Sequence, residues 1–114
     1  MSSNCIFCKI AGGEIHAKEV YRDDDVIAIA DANPQAPEHL LVMPRRHHAD
    51  LVALYASGEG RVAAKLFEVA AKIGREHGAR GFRLVVNTGV EGGQTVDHVH
   101  VHVLAGRHMQ WPPG

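Results

Sequence analysis

The sequence predicts an α+β fold, an antiparallel sheet of about five strands carrying one long helix and one short one. Three observations lead there. Val62, Leu66, Val69 and Ile73 recur at spacings of four, three and four residues, which puts them on one face of a helix. His98 to Leu104 alternates histidine with apolar residues at a period of two, the pattern of a strand with two unlike faces. The remaining apolar runs are short and bounded by turn residues, as strands of an antiparallel sheet are.

In chain order, Glu19 to Arg22 and Val26 to Ala30 read as extended runs joined by a turn at Asp23-Asp24-Asp25. Asn33-Pro34-Gln35-Ala36-Pro37 is a loop, because its two prolines prevent regular hydrogen bonding. His39 to Met43 is a compact strand ended by Pro44, and residues 47–54 form a short helix. The long helix runs from about Gly60 to His77, with Gly78 as its C-terminal stop. Phe82 to Asn87 is a strand around Leu84-Val85-Val86, Thr88 to Gln94 a glycine-rich loop, and Val96 to Leu104 the last strand. Trp111-Pro112-Pro113-Gly114 forms an irregular tail, and no repeat, low-complexity segment or linker divides residues 1–114 into more than one domain.

Composition excludes several classes of function. The 114 residues are 46% hydrophobic and 22% charged, ordinary for a globular chain large enough for one core. A formal net charge of −1 provides no broad basic surface for nucleic acid or an anionic membrane, so neither is expected as a partner. Any phosphate must be held by local donors. Met1-Ser2-Ser3-Asn4-Cys5-Ile6-Phe7-Cys8 lacks the basic start and apolar stretch of a signal peptide. Apolar runs such as Val26 to Ala30 fall far short of the roughly 20 residues that span a bilayer, so a cytoplasmic location is expected. Two cysteines spaced C-x-x-C favour metal or redox chemistry over a structural disulfide in a reducing compartment.

Nine histidines are far more than a fold needs, and His98, His100 and His102 share one face of the last strand. The opposite face carries Val99, Val101 and Val103, which would anchor the strand on the core and hold the imidazoles on a rigid element. An ideal strand would space neighbouring imidazoles about 6.6 Å apart along the chain. An exposed face that tolerates histidine and a His-x-His metal site are the competing readings; Asp97, the one nearby carboxylate, points to the other face. The preceding loop favours phosphate over metal. In Asn87-Thr88-Gly89-Val90-Glu91-Gly92-Gly93-Gln94-Thr95 the glycines let backbone N–H groups turn toward an anion, and Asn87, Gln94 and Thr95 add neutral donors.

The stretch His98 to Leu104 resembles, at every position, the H-φ-H-φ-H-φ-φ signature of the histidine-triad (HIT) family. The likeness extends to Cys5-Ile6-Phe7-Cys8-Lys9-Ile10, to Asp31 with Pro34-Gln35-Ala36-Pro37-Glu38-His39, to Pro44-Arg45-Arg46-His47 and to Gly92-Gly93-Gln94. The ending Trp111-Pro112-Pro113-Gly114 is similar to the nucleotide-binding, purine nucleoside phosphoramidase branch. The resemblance implies a HIT-like sheet that dimerises into a continuous one. It also implies hydrolysis of nucleoside 5′-phosphoramidates, with aminoacyl- or lysyl-adenylates among the candidates, through a nucleotidyl-histidine intermediate, with no cofactor needed for catalysis.

By motif position the implied catalytic set is His100 as nucleophile with His98, His102 and His39. An imidazole of ordinary pKa near 6.5 is largely neutral at cytosolic pH and is a good nucleophile toward phosphorus. Its second nitrogen should donate to a carbonyl, plausibly that of His98. His102 would hold an α-phosphate oxygen, with Thr95 and the N–H groups of Gly93 to Thr95 meeting the same phosphate or the leaving group. The implied nucleotide pocket adds Asn87 and Gln94, Asp31 on the ribose, and Ile6, Phe7, Ile10, Ile29 and Leu41 around the base; each of these apolar residues could equally be ordinary core.

Four departures stand out. Thr95 replaces a frequent serine, His16 a usual proline, and Ala32 a larger residue, which would grip the base less tightly. Asp97 adds a negative charge beside the triad and should raise the pKa of nearby histidines. Family members that keep the C-x-x-C resemble a structural Cys2His2 zinc site, here Cys5, Cys8, His47 and His98, with His48 competing for the His47 position and two free thiols as the alternative. The helix stripe from Val62 to Ile73 and the strand Phe82 to Asn87 resemble the family's homodimer interface. Trp111 would then reach the neighbouring active site, unless the tail lies on its own subunit. Two rivals to a hydrolase of this kind stay open beside a dinucleoside polyphosphate hydrolase: a regulatory nucleotide-binding protein, and a metal carrier with its ion at the triad.

Overall fold

A computed structural model describes residues 4–114; Met1 to Ser3, part of the segment compared with signal peptides, lie outside the described residues. The described residues form three helices and five strands in the order α1 (Ile6–Ala11), β1 (Glu19–Arg22), β2 (Val26–Ala30), β3 (Glu38–Pro44), α2 (Leu51–Ala56), α3 (Gly60–His77), β4 (Phe82–Val86) and β5 (Val101–Ala105). The strands form one antiparallel sheet in the order β1-β2-β3-β5-β4. The predicted α+β class holds, and β1, β2 and α3 fall at the predicted boundaries. No helix among the described residues is long and apolar enough to cross a membrane.

Central strands are apolar on both faces because both faces are covered. Val26, Ala28, Leu40, Val42, Val101 and Val103 pack against Val62, Leu66, Val69 and Ile73 of α3. On the opposite face Ile27, Ile29, Leu41 and Met43 meet Phe7, Ile10 and Ala11 of α1. The α3 stripe is therefore consumed by the chain's own core at 0–5% exposure, not reserved for a second copy as expected. Each such side chain contributes roughly 1.5–3 kcal/mol through burial, so the core claims them first.

Beside one-residue shifts at the ends of β3 and β4, three larger departures from the sequence reading occur. Asp50, whose carboxylate accepts from the Ala53 N–H at 2.8 Å, caps α2 and moves it to Leu51–Ala56 from the predicted 47–54. Helix α1 is a second short helix that the reading lacked, started by the Cys5 sulfur accepting from the Cys8 N–H at 3.4 Å. The last strand begins at Val101 and not at Val96. Its partner β3 ends at Pro44, which has no N–H to donate, so the ladder stops at the Val42–Val101 pair. His98 and His100 thus precede the ladder, in a stretch held by a Val99 N–H bond to the His48 carbonyl at 2.8 Å. The alternation survives all the same, since Val99 joins Val101 and Val103 in the α3-side core.

The two sheet edges are unlike. Strand β1 carries a register irregularity between Glu19 and Tyr21 and an Arg22–Glu19 ion pair at 2.8 Å, features that blunt an edge. Strand β4, Phe-Arg-Leu-Val-Val, pairs with β5 in unbroken register and has no partner on its other side among the described residues.

Candidate active site

The histidine face of β5 and its approach is the face that α1 covers, and the hydrogen bonds there fix which nitrogen of each ring carries a proton. His98, fully buried, has Nε2 2.8 Å from the Pro44 carbonyl, which can only accept, so the proton sits on Nε2 and the lone pair on Nδ1. His100 Nδ1 lies 2.8 Å from the His98 carbonyl and donates to it, leaving the Nε2 lone pair of the neutral ring free. The backbone N–H of Gln35 donates to His39 Nδ1 at 2.9 Å, so His39 is protonated on Nε2. That Nε2 is 2.9 Å from His102 Nδ1 and 3.3 Å from Asp31 Oδ2. His102 therefore accepts at Nδ1 and carries its own proton on Nε2.

Burial favours the neutral form of His98, His102 and His39. It pushes His98 and His102 down to about 4, with the neighbouring histidines adding to the effect, and it lowers His39 against the opposing charge of Asp31. The rise expected from Asp97 does not occur. Asp97 is exposed, and desolvation of the imidazoles dominates. Phe7 meets His98 and His100 edge-on, with ring centroids at 5.7 and 5.1 Å, and His100 and His102 lie 4.9 Å apart, closer than an ideal strand spaces them.

A cavity of about 560 Å³ opens on this face. Its walls include the expected Ile6, Phe7, Ile10, Ile29, Leu41, Asp31 and Thr95, with His100 and His102 at one side. Helix α1 contributes three of these side chains, and Ile29 and Leu41 are direct partners across β2 and β3. Asp31 is fixed by its own turn: its N–H donates to the His39 carbonyl and its Oδ1 accepts from the Asn33 N–H.

The sequence reading missed Ile15, His16, Ala17 and Lys18, which line the cavity as the chain passes from α1 to β1. They carry no periodicity; a departure from the family pattern at His16 was the one available signal.

Three expected pocket residues are elsewhere. The Gly93 N–H donates to the Val90 carbonyl and the Gln94 N–H to the Gly89 carbonyl, so the turn itself uses two of the three expected anion donors. Gly93 has φ +82, which shapes that turn and does not aim its amide outward. The Gln94 side chain bonds the carbonyls of Ala49 and Val96 and accepts from the Gly89 N–H, tying the loop to the body. Asn87 follows β4 and does not line the cavity; Trp111, expected at a neighbouring copy's cavity, is 81% exposed.

Beneath the triad, Cys5, Cys8, His47 and His98 bring four donor atoms within 4.8 Å of one another. Cys5 Sγ and Cys8 Sγ lie 3.2 and 3.5 Å from His98 Nδ1, the nitrogen with the free lone pair, and Cys8 Sγ is 3.4 Å from His47 Nδ1. A tetrahedral zinc site has S···N edges of roughly 3.6 Å, so the donor set fits. His48 lies outside this cluster and contributes a backbone carbonyl to Val99. Burial, reinforced by Cys5, pushes the Cys8 thiol up to about 11, so a cation is needed to hold it as thiolate at neutral pH.

A second cavity, about 680 Å³, lies where α3 ends, lined by Arg80, Arg83, Arg107 and His108 among others. Two of its arginines are engaged by backbone carbonyls: Arg83 holds Gln110, and Arg107 holds Gln35 and His108. That accounts for them as clamps on the segment leaving β5.

Comparison with known proteins agrees with this geometry. The HIT domain matches residues 12–109. An uncharacterised HIT-like protein of Synechococcus elongatus is 45% identical over 114 residues, covering 100% of both chains. A 14 kDa zinc-binding protein of Brassica juncea is 40% identical, covering 96% of this chain and 98% of its own. Among solved structures, a histidine triad protein from Clostridium difficile superposes with a TM-score of 0.90 at 42% identity, covering 96% of each chain. A HIT family hydrolase from Legionella pneumophila gives 0.80 at 41%, over 97% of this chain and 100% of the other. A zinc-bound histidine triad family protein from Mycobacterium smegmatis gives 0.80 at 32%, over 91% and 76%.

Proposed function

The chain belongs to the HIT domain family, and from that premise we propose that it is a nucleotide-binding hydrolase that cleaves nucleoside 5′-phosphoramidates through a nucleotidyl-histidine intermediate. The observation that carries the reading is His100, its Nδ1–H held at 2.8 Å by the His98 carbonyl and its ring in the wall of the 560 Å³ cavity. A fixed lone pair on Nε2 is what attack on phosphorus requires. Nε2 bonds to the α-phosphorus as the P–N bond breaks, and the amine leaves with a proton taken from solvent, which the water of the second step gives back. Water then attacks the same phosphorus, releasing the nucleoside monophosphate and restoring His100. The Nε2–H of His102 and the Thr95 hydroxyl stabilise the phosphate oxygens; each such donor is worth about 10²–10³ in rate. Apolar side chains from α1, β2 and β3 receive the base, and Asp31 the ribose.

The kinship with a hydrolase and the intact nucleophile support turnover over a purely regulatory role. A panel of nucleoside phosphoramidates and dinucleoside polyphosphates tests the substrate class. Preferential cleavage of adenosine 5′-phosphoramidates is expected; preferential cleavage of the polyphosphates, or no cleavage of either, overturns it.

Zinc is proposed at Cys5, Cys8, His47 and His98 as a structural ion, supported by the donor set and by the zinc-binding relatives. It would hold α1 and His98 together, with all four positions taken by protein.

We also propose a two-fold dimer through β4, the unblunted edge. Phe82 pairs with Ala105, so the tail leaves β5 beside the start of β4. Antiparallel pairing of two β4 strands sets the end of one beside the start of the other, which carries Trp111 toward the second copy's cavity. Deleting residues 111–114 should therefore change substrate preference more than melting temperature. Sedimentation as a monomer at micromolar concentration, or a deletion that leaves preference intact, would end this proposal.

A further inference from the structure

Arg107 lies outside the cavity that holds the triad, yet its guanidinium leads directly to it. Its Nε donates to the Gln35 carbonyl at 3.0 Å, and the N–H of the same Gln35 donates to His39 Nδ1 at 2.9 Å. His39 Nε2 then meets His102 Nδ1 at 2.9 Å. A second contact pins the same loop. Gly106 has φ +94, and a Cβ there would come within 2.9 Å of the Pro37 side chain, so the turn that carries Arg107 packs closely on Pro37.

We infer that Arg107 is a positioning residue for the reaction, holding the Gln35 amide on His39 and thereby keeping the His102 proton on Nε2, where substrate phosphate can use it. The logic is one of exclusion. While a backbone N–H occupies His39 Nδ1, a proton on that nitrogen would set two donors against each other in a buried site. His39 must then donate from Nε2, and His102 must accept at Nδ1. If the loop drifts, His39 can protonate Nδ1 and accept at Nε2, and His102 turns its lone pair toward the phosphate. Asp31 Oδ2, 3.3 Å from His39 Nε2, favours the same tautomer. Loss of Arg107 should therefore produce a mixture of states and not a reversal.

The inference rests on the proposed reaction for its kinetic arm alone. Long-range ¹H–¹⁵N correlation spectra of the ¹⁵N-labelled full chain report ring tautomers without substrate. Wild type should show His39 and His102 protonated on Nε2, Arg107→Ala a mixture, and Arg107→Lys, which keeps a donor, a pattern nearer wild type. With adenosine 5′-phosphoramidate, kcat of Arg107→Ala should fall roughly tenfold, as when His102 presents its proton a tenth of the time, while KM stays within about twofold. Lysine should recover part of the loss. An unchanged tautomer pattern in a folded Arg107→Ala overturns the inference whatever the kinetics, and so does a tautomer change without a fall in kcat. Should Arg107→Ala not fold, Arg107→Lys decides: tautomers and kcat both displaced part of the way support the inference, and both at wild-type values overturn it. If no phosphoramidate is cleaved, the proposed function fails while the spectra still decide the role of Arg107.

Discussion

Replacing His100 with alanine should lower phosphoramidate hydrolysis by about 10⁴-fold or more, the scale seen when a covalent nucleophile is removed. Nucleotide affinity should change by less than about tenfold, roughly 1.4 kcal/mol. The two effects separate because His100 is one wall of the cavity, whereas the proposed base and ribose contacts would come from α1, β2, β3 and Asp31. The fold should survive the change, since the valines on the other face anchor this stretch to the α3 side. Glycine at the same position should behave alike, as neither residue offers a lone pair to phosphorus. Single-turnover kinetics and equilibrium titration with a nucleoside monophosphate measure the two quantities. Hydrolysis at the wild-type rate in His100→Ala would sink the mechanism, and a parallel collapse of binding would make His100 a binding residue instead.

Local pattern and long-range geometry were unequally legible. The stripe from Val62 to Ile73, stopped by Gly78, sufficed for α3 because eighteen residues at one period leave no competing reading. Helix α1 has six residues, too few for a period to emerge, and it starts from a thiol, which is an unusual cap. The start of β5 was misplaced because the residue that ends its ladder, Pro44, is far away in sequence.

At the site, alternation put the three imidazoles on one face, whereas the inward bonds of the glycine-rich loop were not legible. Gly93 and Gln94 were read as anion donors by residue type, whereas turn geometry decides which carbonyl each N–H meets. The Arg107–Gln35–His39 connection joins residues 72 apart through a backbone carbonyl, and no side-chain pattern announces it.

Protein purified under reducing conditions with zinc available should carry about one zinc per chain, and Cys5→Ser/Cys8→Ser should lose it and melt lower. Serine is the apt replacement. Its hydroxyl still caps α1 at position 5, so the loss reports the metal and not the cap. Structural zinc in finger peptides contributes on the order of 10–16 kcal/mol because those peptides have no other core. Here two apolar clusters persist without it, and a loss of about 3 kcal/mol, or roughly 12 °C for a domain of this size, is the reasonable scale. Activity should be reduced but not abolished. His98 keeps its bond to the Pro44 carbonyl, so its own carbonyl still receives the His100 proton, though less firmly held. A strong chelator should bring the wild type down to the variant's melting temperature and leave the variant unchanged, which separates metal loss from any damage done by the serines. Elemental analysis finding no zinc in reduced protein, or a melting temperature indifferent to the chelator, would reduce the four residues to a thiol–imidazole cluster held by hydrogen bonds alone.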